Sequence, residues 1–455
     1  MNKHYHLIGI GGIGMSGIAQ LLLRSGEKVS GSDLKESKIT EELKNLGAQV
    51  FKGHDAGNIS GATSVIYSTA IKEDNPEIVE AKRQGIALLK RGQALAELMQ
   101  DKIVITVTGS HGKTTTTSLA SYLLLEAGLL PTVAIGGVLR NIDTNACLGE
   151  GRFFVAEADE SDGSFLYYRP KYSIITNIDR EHLDYYKEFE KELDTFREFI
   201  NRTREDGCVF CCADDLNLRR MLADYKNRYV LFGLKDSADI YPRNIQMNGL
   251  TSEFDCFYKN KLIDKFHLTL GGRHNISNAI SVIALGLELG IDVEVIKKTL
   301  NNYKGAKRRL EIKFNAQDLL IIDDYAHHPT EIKATLEAVK NLNKKRVIAI
   351  FQPHRYTRTK LLLDEFGLCF DLADYLILTD IYAASEPPIE GITARCISDK
   401  VKESSSPFKE IHFLPKEEIL TYVLGILKPG DLVVFLGAGD IAKISDELAE
   451  GLNKR

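Results

Sequence analysis

Four stretches of this chain carry the residue types that phosphate chemistry requires. Thr108-Gly109-Ser110-His111-Gly112-Lys113-Thr114-Thr115 stands between a β-branched run and a helical pattern. Gly109 and Gly112 permit a turn whose backbone N–H groups face an anion, Lys113 can reach β and γ phosphates, and the Thr114 hydroxyl suits Mg²⁺. Full P-loop spacing would place a glycine at 107, where Val107 stands, so the loop is a shortened variant. Gly9-Ile10-Gly11-Gly12-Ile13-Gly14-Met15 is a G-x-G-x-x-G turn, with Asp33 at the end of the next apolar run. Such glycines let a diphosphate approach a helix N-terminus, and an acidic residue at the next strand end suits a ribose. Dinucleotide binding is the first reading; alone, the pattern also occurs with many other nucleotides and, less often, as a tight structural turn. Two carboxylate-rich stretches follow, Val155 to Asp162 and Thr176 to Asp184. Hard cations take oxygen ligands, which makes Glu157 the leading Mg²⁺ candidate; His182 reads as a ligand or as a hydrogen-bonded structural histidine.

Two phosphate loops imply two phosphorylated ligands, which suits a transferase or ligase. An NAD-dependent oxidoreductase, resting on the first glycine loop alone, needs no second loop with a lysine. The elements that must position these residues alternate: Tyr5 to Ile10, Lys28 to Ser32 and Ser64 to Ser68 as strands, with Ile13 to Arg24, Ser37 to Leu46 and Pro76 to Gln84 as helices. A second series opens at Ile103 to Val107 and includes Tyr172 to Thr176 and Tyr229 to Phe232. A third runs from Leu319 to Ile322 through Arg346 to Phe351, Tyr375 to Thr379, Ile411 to Leu414 and Asp431 to Leu436. Three α/β domains are expected, over 1–100, 101–307 and 308–455. Ser404 to Ser406 is the single low-complexity stretch.

With 455 residues, 44% of them hydrophobic, the chain exceeds the ~250 residues at which one core stops growing. Its 58 Lys+Arg against 63 Asp+Glu give −5, no field for nucleic acid or an anionic membrane. Apolar runs fall short of the roughly 18 residues of a spanning helix, and no signal layout opens the chain, so a cytoplasmic protein without membrane insertion is expected. Cys208, Cys211 and Cys212 lie in a short apolar run without a second ligand pair and read as structural.

The ordered set of motifs resembles the Mur ligase family over nearly the whole chain. It includes Gly272 to Ala279, Arg308 to Glu311, Asp323 to Glu331, Gln352 to Thr359 and Gly437 to Ile441. The resemblance implies a Rossmann-like nucleotide-sugar domain, a P-loop ATPase-like domain and a Rossmann-like C-terminal domain. It implies ATP and Mg²⁺ as cofactors, with UDP-N-acetylmuramate and L-alanine as substrates joined through an acyl phosphate; the runner-up is recycling of a preformed tripeptide onto the same nucleotide sugar. Gly11, Gly12, Gly14, Met15, Ser32, Asp33, Ser68 and Thr69 would hold the UDP-sugar. Gly109, Ser110, His111, Gly112, Lys113, Thr114, Thr115, Asn275, Asn278, Arg309 and Asp324 would hold ATP. Thr114, Glu157 and His182 would ligate Mg²⁺, and His327, Arg355 and Arg358 would receive the amino acid, with His327 a candidate base. Monomer and homodimer both stay open. The chain departs from the family in carrying Glu181 where Asp is usual. It also has Phe196 and Arg197 where several relatives carry a carbamylated lysine, and a short Leu139 to Leu148.

Overall fold

The computed structural model describes residues 3–316, 318–404 and 410–454; Ser405 and Ser406 lie outside the described residues. The chain forms two compact units, one of Met1–Arg243, Asp255–Asp264 and Ser277–Lys304, the other of Asn244–Phe254, Lys265–Ile276 and Gly305–Arg455. The described residues build three sheets, alternating with helices along the chain as an α/β architecture requires.

In the first unit, a parallel sheet runs in the order Gln49–Lys52, Lys28–Asp33, His4–Ile8, Ser64–Tyr67, Ala87–Lys90. Its middle strand, His4–Ile8, is buried throughout, as a central parallel strand should be. Leu7 pairs with Gly31, where an added Cβ would lie 2.6 Å from the Leu7 carbonyl oxygen, so only glycine lets the glycine turn pack over the next strand. Helix Ile13–Arg24 begins after Gly12 with no side-chain cap and buries Met15, Ile18, Leu21 and Leu22. Helix Pro76–Gln84 starts with Asn75 accepting from the Glu77 N–H and ends at Gly85, left-handed at φ 66°.

The second sheet has ten strands, in the order Lys261–Leu268, Thr251–Tyr258, Ile240–Asn248, Tyr229–Phe232, Cys208–Cys212, Tyr172–Ile175, Ile103–Thr108, Phe153–Glu157, Thr132–Leu139, Thr144–Cys147. The first three divide their residues between the two units. Ile103–Thr108 is flanked in parallel by Phe153–Glu157, with Val107 opposite Glu157, and by Tyr172–Ile175, with Thr108 opposite Ile175. The P-loop therefore leaves the sheet between the two carboxylate-rich stretches, at the C-terminal strand ends where open α/β sheets bind ligands. Cys208, Cys211 and Cys212 are buried in one strand, and burial pushes the Cys208 thiol up to about 12, as structural cysteines require.

The third sheet, in the second unit, runs Glu311–Ala316, Leu319–Asp324, Asp431–Leu436, Arg346–Phe351, Tyr375–Leu378, Glu410–Phe413. Its first strand is antiparallel, an edge not expected from the sequence, with only Phe314 of Glu311–Ala316 buried. The five others are parallel. No helix among the described residues is long and apolar enough to cross a membrane.

Candidate active site

The P-loop is held from below by the segment after the next strand. Ser110 N–H donates to the Asn177 carbonyl at 3.0 Å, His111 N–H to Asn177 Oδ1 at 2.9 Å, and Asp179 N–H to Ser110 Oγ at 2.7 Å. His111 Nε2 lies 2.9 Å from Asp179 Oδ2. Gly109 at φ 126° and Gly112 at φ 83° adopt backbone that L side chains rarely reach. A Cβ on Gly109 would also lie 2.8 Å from the Asn177 carbonyl oxygen, and one on Gly112 2.7 Å from Asn278 Oδ1, which puts the Asn278 amide against the loop.

Lys113 Nζ donates to the carbonyls of Gly109 at 2.5 Å and Ser110 at 3.1 Å and to Glu160 Oε1 at 2.7 Å. Burial alone would lower its pKa, but Glu160, Asp159 and Glu181 outweigh that and raise it, so the ammonium stays charged. The Thr114 hydroxyl donates to Glu157 Oε1 at 3.2 Å, while Glu157 Oε2 accepts from Gly136 N–H at 2.9 Å. Thr114 and Glu157, expected together, are together. His182, left-handed at φ 55°, places Nε2 3.3 Å from Glu160 Oε1 and 3.5 Å from Glu181 Oε2. Burial pulls the imidazole down, but Glu160 and then Glu181 hold it above its ordinary value. One ligand atom each from Glu160, Glu181 and His182 lies within 4.8 Å of the others, a donor set fit for a divalent cation. Glu160 is the residue the sequence reading passed over: it is fully buried and serves both Lys113 and His182. Its signal was its place three residues beyond Glu157, in the loop that follows that strand end. Phe196 is core, stacked edge-on against Phe165, and Arg197 pairs with Asp194 at the surface, so neither stands in for a lysine.

At the other end of the first unit's site, Gly9 turns at φ 75°, and the N–H groups of Gly9 and Ile10 both donate to the Ser32 carbonyl, at 2.8 and 3.0 Å. Asp33 Oδ2 accepts from Gly11 N–H at 3.0 Å, and Ser32 Oγ is buried. A Cβ on Gly14 would meet the Arg91 side chain at 3.2 Å. Arg91 in turn donates to Asp159 Oδ2 at 2.8 Å, a bridge from the glycine loop to the carboxylate stretch that no motif announces. A cavity of about 350 Å³ runs between them, lined by Gly12, Gly14, Met15, Ser68, Thr69, Arg91, Gly136 and Glu157.

In the second unit, His327 Nδ1 lies 3.0 Å from the Tyr325 carbonyl oxygen and 3.3 Å from Glu331 Oε2, and its ring meets His354 edge-on at 5.5 Å. His354 stacks on Tyr382 at 5.6 Å, and Arg358 Nη1 lies 3.2 Å from His354 Nδ1. Burial, then the neighbouring His327, Arg358 and Arg355, push His354 down to about 2, leaving it neutral. The structure thus joins His327 and Arg358 through His354, which the sequence reading quoted but gave no role. Arg355, at φ 70°, opens helix Tyr356–Leu361. Asp324 is buried and accepts from the N–H groups of Leu310 at 2.6 Å and Ala326 at 2.9 Å. Arg309 lies over the Tyr325 ring at 5.2 Å, and Asn275 Nδ2 donates to the Gly271 carbonyl at 2.8 Å.

Family models match three consecutive stretches: "Mur ligase family, catalytic domain" over residues 4–103, "Mur ligase middle domain" over 107–286 and "Mur ligase, glutamate ligase domain" over 308–439. The UDP-N-acetylmuramate–L-alanine ligase of Geotalea uraniireducens is 45% identical over 98% of this chain and 97% of its own length. That of Pelobacter propionicus is 46% identical over 99% and 98%. Among solved structures, the UDP-N-acetylmuramate–alanine ligase of Thermotoga maritima aligns with a TM-score of 0.85 at 29% identity, covering 99% of each chain. A murein peptide ligase from Psychrobacter arcticus aligns at 0.74 and 25% identity, covering 100% of this chain and 99% of its own.

Proposed function

The chain belongs to the Mur ligase family, and on that premise we propose that it joins L-alanine to the carboxylate of UDP-N-acetylmuramate at the expense of ATP, in peptidoglycan precursor synthesis. The observation that carries the reading is the cavity between the glycine turn and Glu157: a sugar carboxylate tethered to a diphosphate on that turn has a path toward the P-loop. A carboxylate is a poor electrophile, and transfer of the γ-phosphoryl group gives it a leaving group before the alanine amine attacks. Lys113 neutralises charge that would repel the approaching carboxylate, and its bond to Glu160 keeps it protonated until phosphate competes for it.

Thr114 and Glu157 are the proposed holders of one Mg²⁺, and His182 with Glu160 and Glu181 of a second; both donor sets are built mainly of oxygen. Bound there, Mg²⁺ supplies electrostatic stabilisation of the transferring phosphoryl group. Gly11, Gly12, Gly14, Met15, Ser32, Asp33, Ser68 and Thr69 are assigned to the UDP-sugar. Gly109 to Thr115, Asn275, Asn278, Arg309 and Asp324 are assigned to ATP. His327, Arg355 and Arg358 are assigned to the amino acid, whose carboxylate a guanidinium grips in bidentate geometry. The reading includes a cytoplasmic location and domains near 1–100, 101–307 and 308–455. Phosphate release with UDP-N-acetylmuramate, ATP and a panel of amino acids and tripeptide tests it. Alanine-dependent release is expected; release only with tripeptide, or none with any acceptor, overturns it.

A further inference from the structure

Behind the glycine turn lies a buried polar group of side chains in which only Ser32 has been given a binding role above. Glu77, in the first turn of helix Pro76–Gln84, is fully buried. Its Oε2 accepts from Ser32 Oγ at 2.6 Å, and its Oε1 from Asn58 Nδ2 at 2.6 Å and from Asp55 N–H at 3.4 Å. His54 Nδ1 lies 2.9 Å from the same Ser32 hydroxyl and 3.4 Å from Glu77, and His6 Nε2 lies 3.6 Å from Glu77. Burial raises the carboxyl's pKa, but the nearby His6 imidazole and the bonds from Ser32 and Asn58 outweigh it and hold the group below its ordinary value, so it is a buried anion. Burying an anion costs free energy, and these donors offset it, which ties the surrounding strand ends and loop to Glu77.

What it touches is the strand end that carries the glycine turn. The Ser32 carbonyl receives both Gly9 and Ile10 N–H groups, and the next residue, Asp33, receives Gly11 N–H. Ser32 is thus gripped by Glu77 through its hydroxyl and grips the turn through its carbonyl. We propose that Glu77 is a positioning residue for the UDP-linked substrate, acting through Ser32 to set the glycine turn at the height a diphosphate needs. The inference rests on the assignment of that turn to the UDP-sugar. It predicts damage confined to one substrate, because Glu77 braces the first sheet while the P-loop is braced by Asn177 and Asp179.

The test is steady-state kinetics of Glu77→Gln, which keeps the shape and removes the charge, with each substrate varied in turn. A hydrogen bond to a charged group is strong enough that KM for UDP-N-acetylmuramate should rise ~10-fold while KM for ATP and kcat stay within about twofold. Glu77→Asp should recover part of the loss. Should Glu77→Gln fail to fold, His54→Ala removes the second partner of the Ser32 hydroxyl without stranding a charge, and a rise in the same KM alone is expected. A lowered melting temperature with all three KM values unchanged would make Glu77 merely structural and overturn the proposal, as would an equal loss for every substrate. Wild-type enzyme that shows no dependence on UDP-N-acetylmuramate overturns the functional reading itself, an outcome visible before any variant is made.

Discussion

At the scale of single residues, the first unit's site is organised around charges that burial would otherwise neutralise. Lys113 is the cation nearest the P-loop turn, tied to Glu160 and to two loop carbonyls. Lys113→Ala should therefore lower turnover ~100-fold or more while leaving the fold intact, to be read by phosphate release and circular dichroism. Turnover within a few-fold of wild type would remove it from the chemistry. Glu192 shows the opposite balance. Among the described residues neither of its buried carboxylate oxygens has a hydrogen-bond partner, and burial, followed by repulsion from Glu160, Glu181 and Asp179, pushes its pKa up to about 9. Folded Glu192 keeps its proton where the unfolded chain has lost it, so its contribution to stability is intact below the unfolded carboxyl range and declines as pH rises toward 9. Glu192→Gln, which carries no proton to lose, should gain stability over wild type as pH goes from 5 to 8 in Mg²⁺-free buffer. Denaturant midpoints that differ by the same amount at both pH values would contradict this.

At the scale of elements, two strand-turn-helix units of similar design differ in how the turn is held. In the P-loop, the glycine requirement sits in the backbone of the loop itself, at Gly109 and Gly112, both at positive φ. In the glycine turn, only Gly9 is left-handed, and Gly11 is required by crowding: a Cβ there would lie 2.9 Å from Asp33 Oδ2 and 3.1 Å from Thr40 Cγ2. Gly11→Val should push Asp33 away and break its bond to the Gly11 N–H, raising KM for the UDP-linked substrate ~10-fold or more and sparing ATP. Isothermal titration with each nucleotide separately decides it, and an effect on ATP alone would exchange the two sites. Gly14 is more permissive, because the neighbour of its added Cβ is the flexible Arg91 side chain, and a side chain there acts on Arg91 before it acts on any ligand.

At the scale of the molecule, a ligand that binds only the folded chain stabilises it by mass action, about 2.7 kcal/mol at a hundred times its Kd. Wild-type protein should show a rise in melting temperature with ATP and Mg²⁺ and a separate rise with UDP-N-acetylmuramate. In Lys113→Ala the first rise should shrink and the second persist, since the glycine turn and the P-loop stand on different sheets. Loss of both shifts together would mean that the two nucleotides share one site.

Much of this was legible in the sequence because it is local. A glycine turn or a P-loop needs its residues contiguous, between a strand and a helix, so Gly9 to Met15 and Thr108 to Thr115 marked both strand-to-helix turns as candidate phosphate sites, and the order of the motifs announced the family. Helices Ile13–Arg24 and Pro76–Gln84 were readable to the residue because apolar periodicity and end signals coincide there. The antiparallel edge Glu311–Ala316 was not: only Phe314 of its six residues is buried and its register shifts between Ile312 and Phe314, so what defines it is its pairing with Leu319–Asp324. What tertiary structure alone decided is the partner of each buried charge. Lys113 finds Glu160 47 residues away, Arg91 finds Asp159 at 68, and Ser32 finds Glu77 at 45. No period or spacing encodes such pairs; a charge taken out of water needs a counter-charge or donors, and which side chain supplies them depends on how sheets and helices pack.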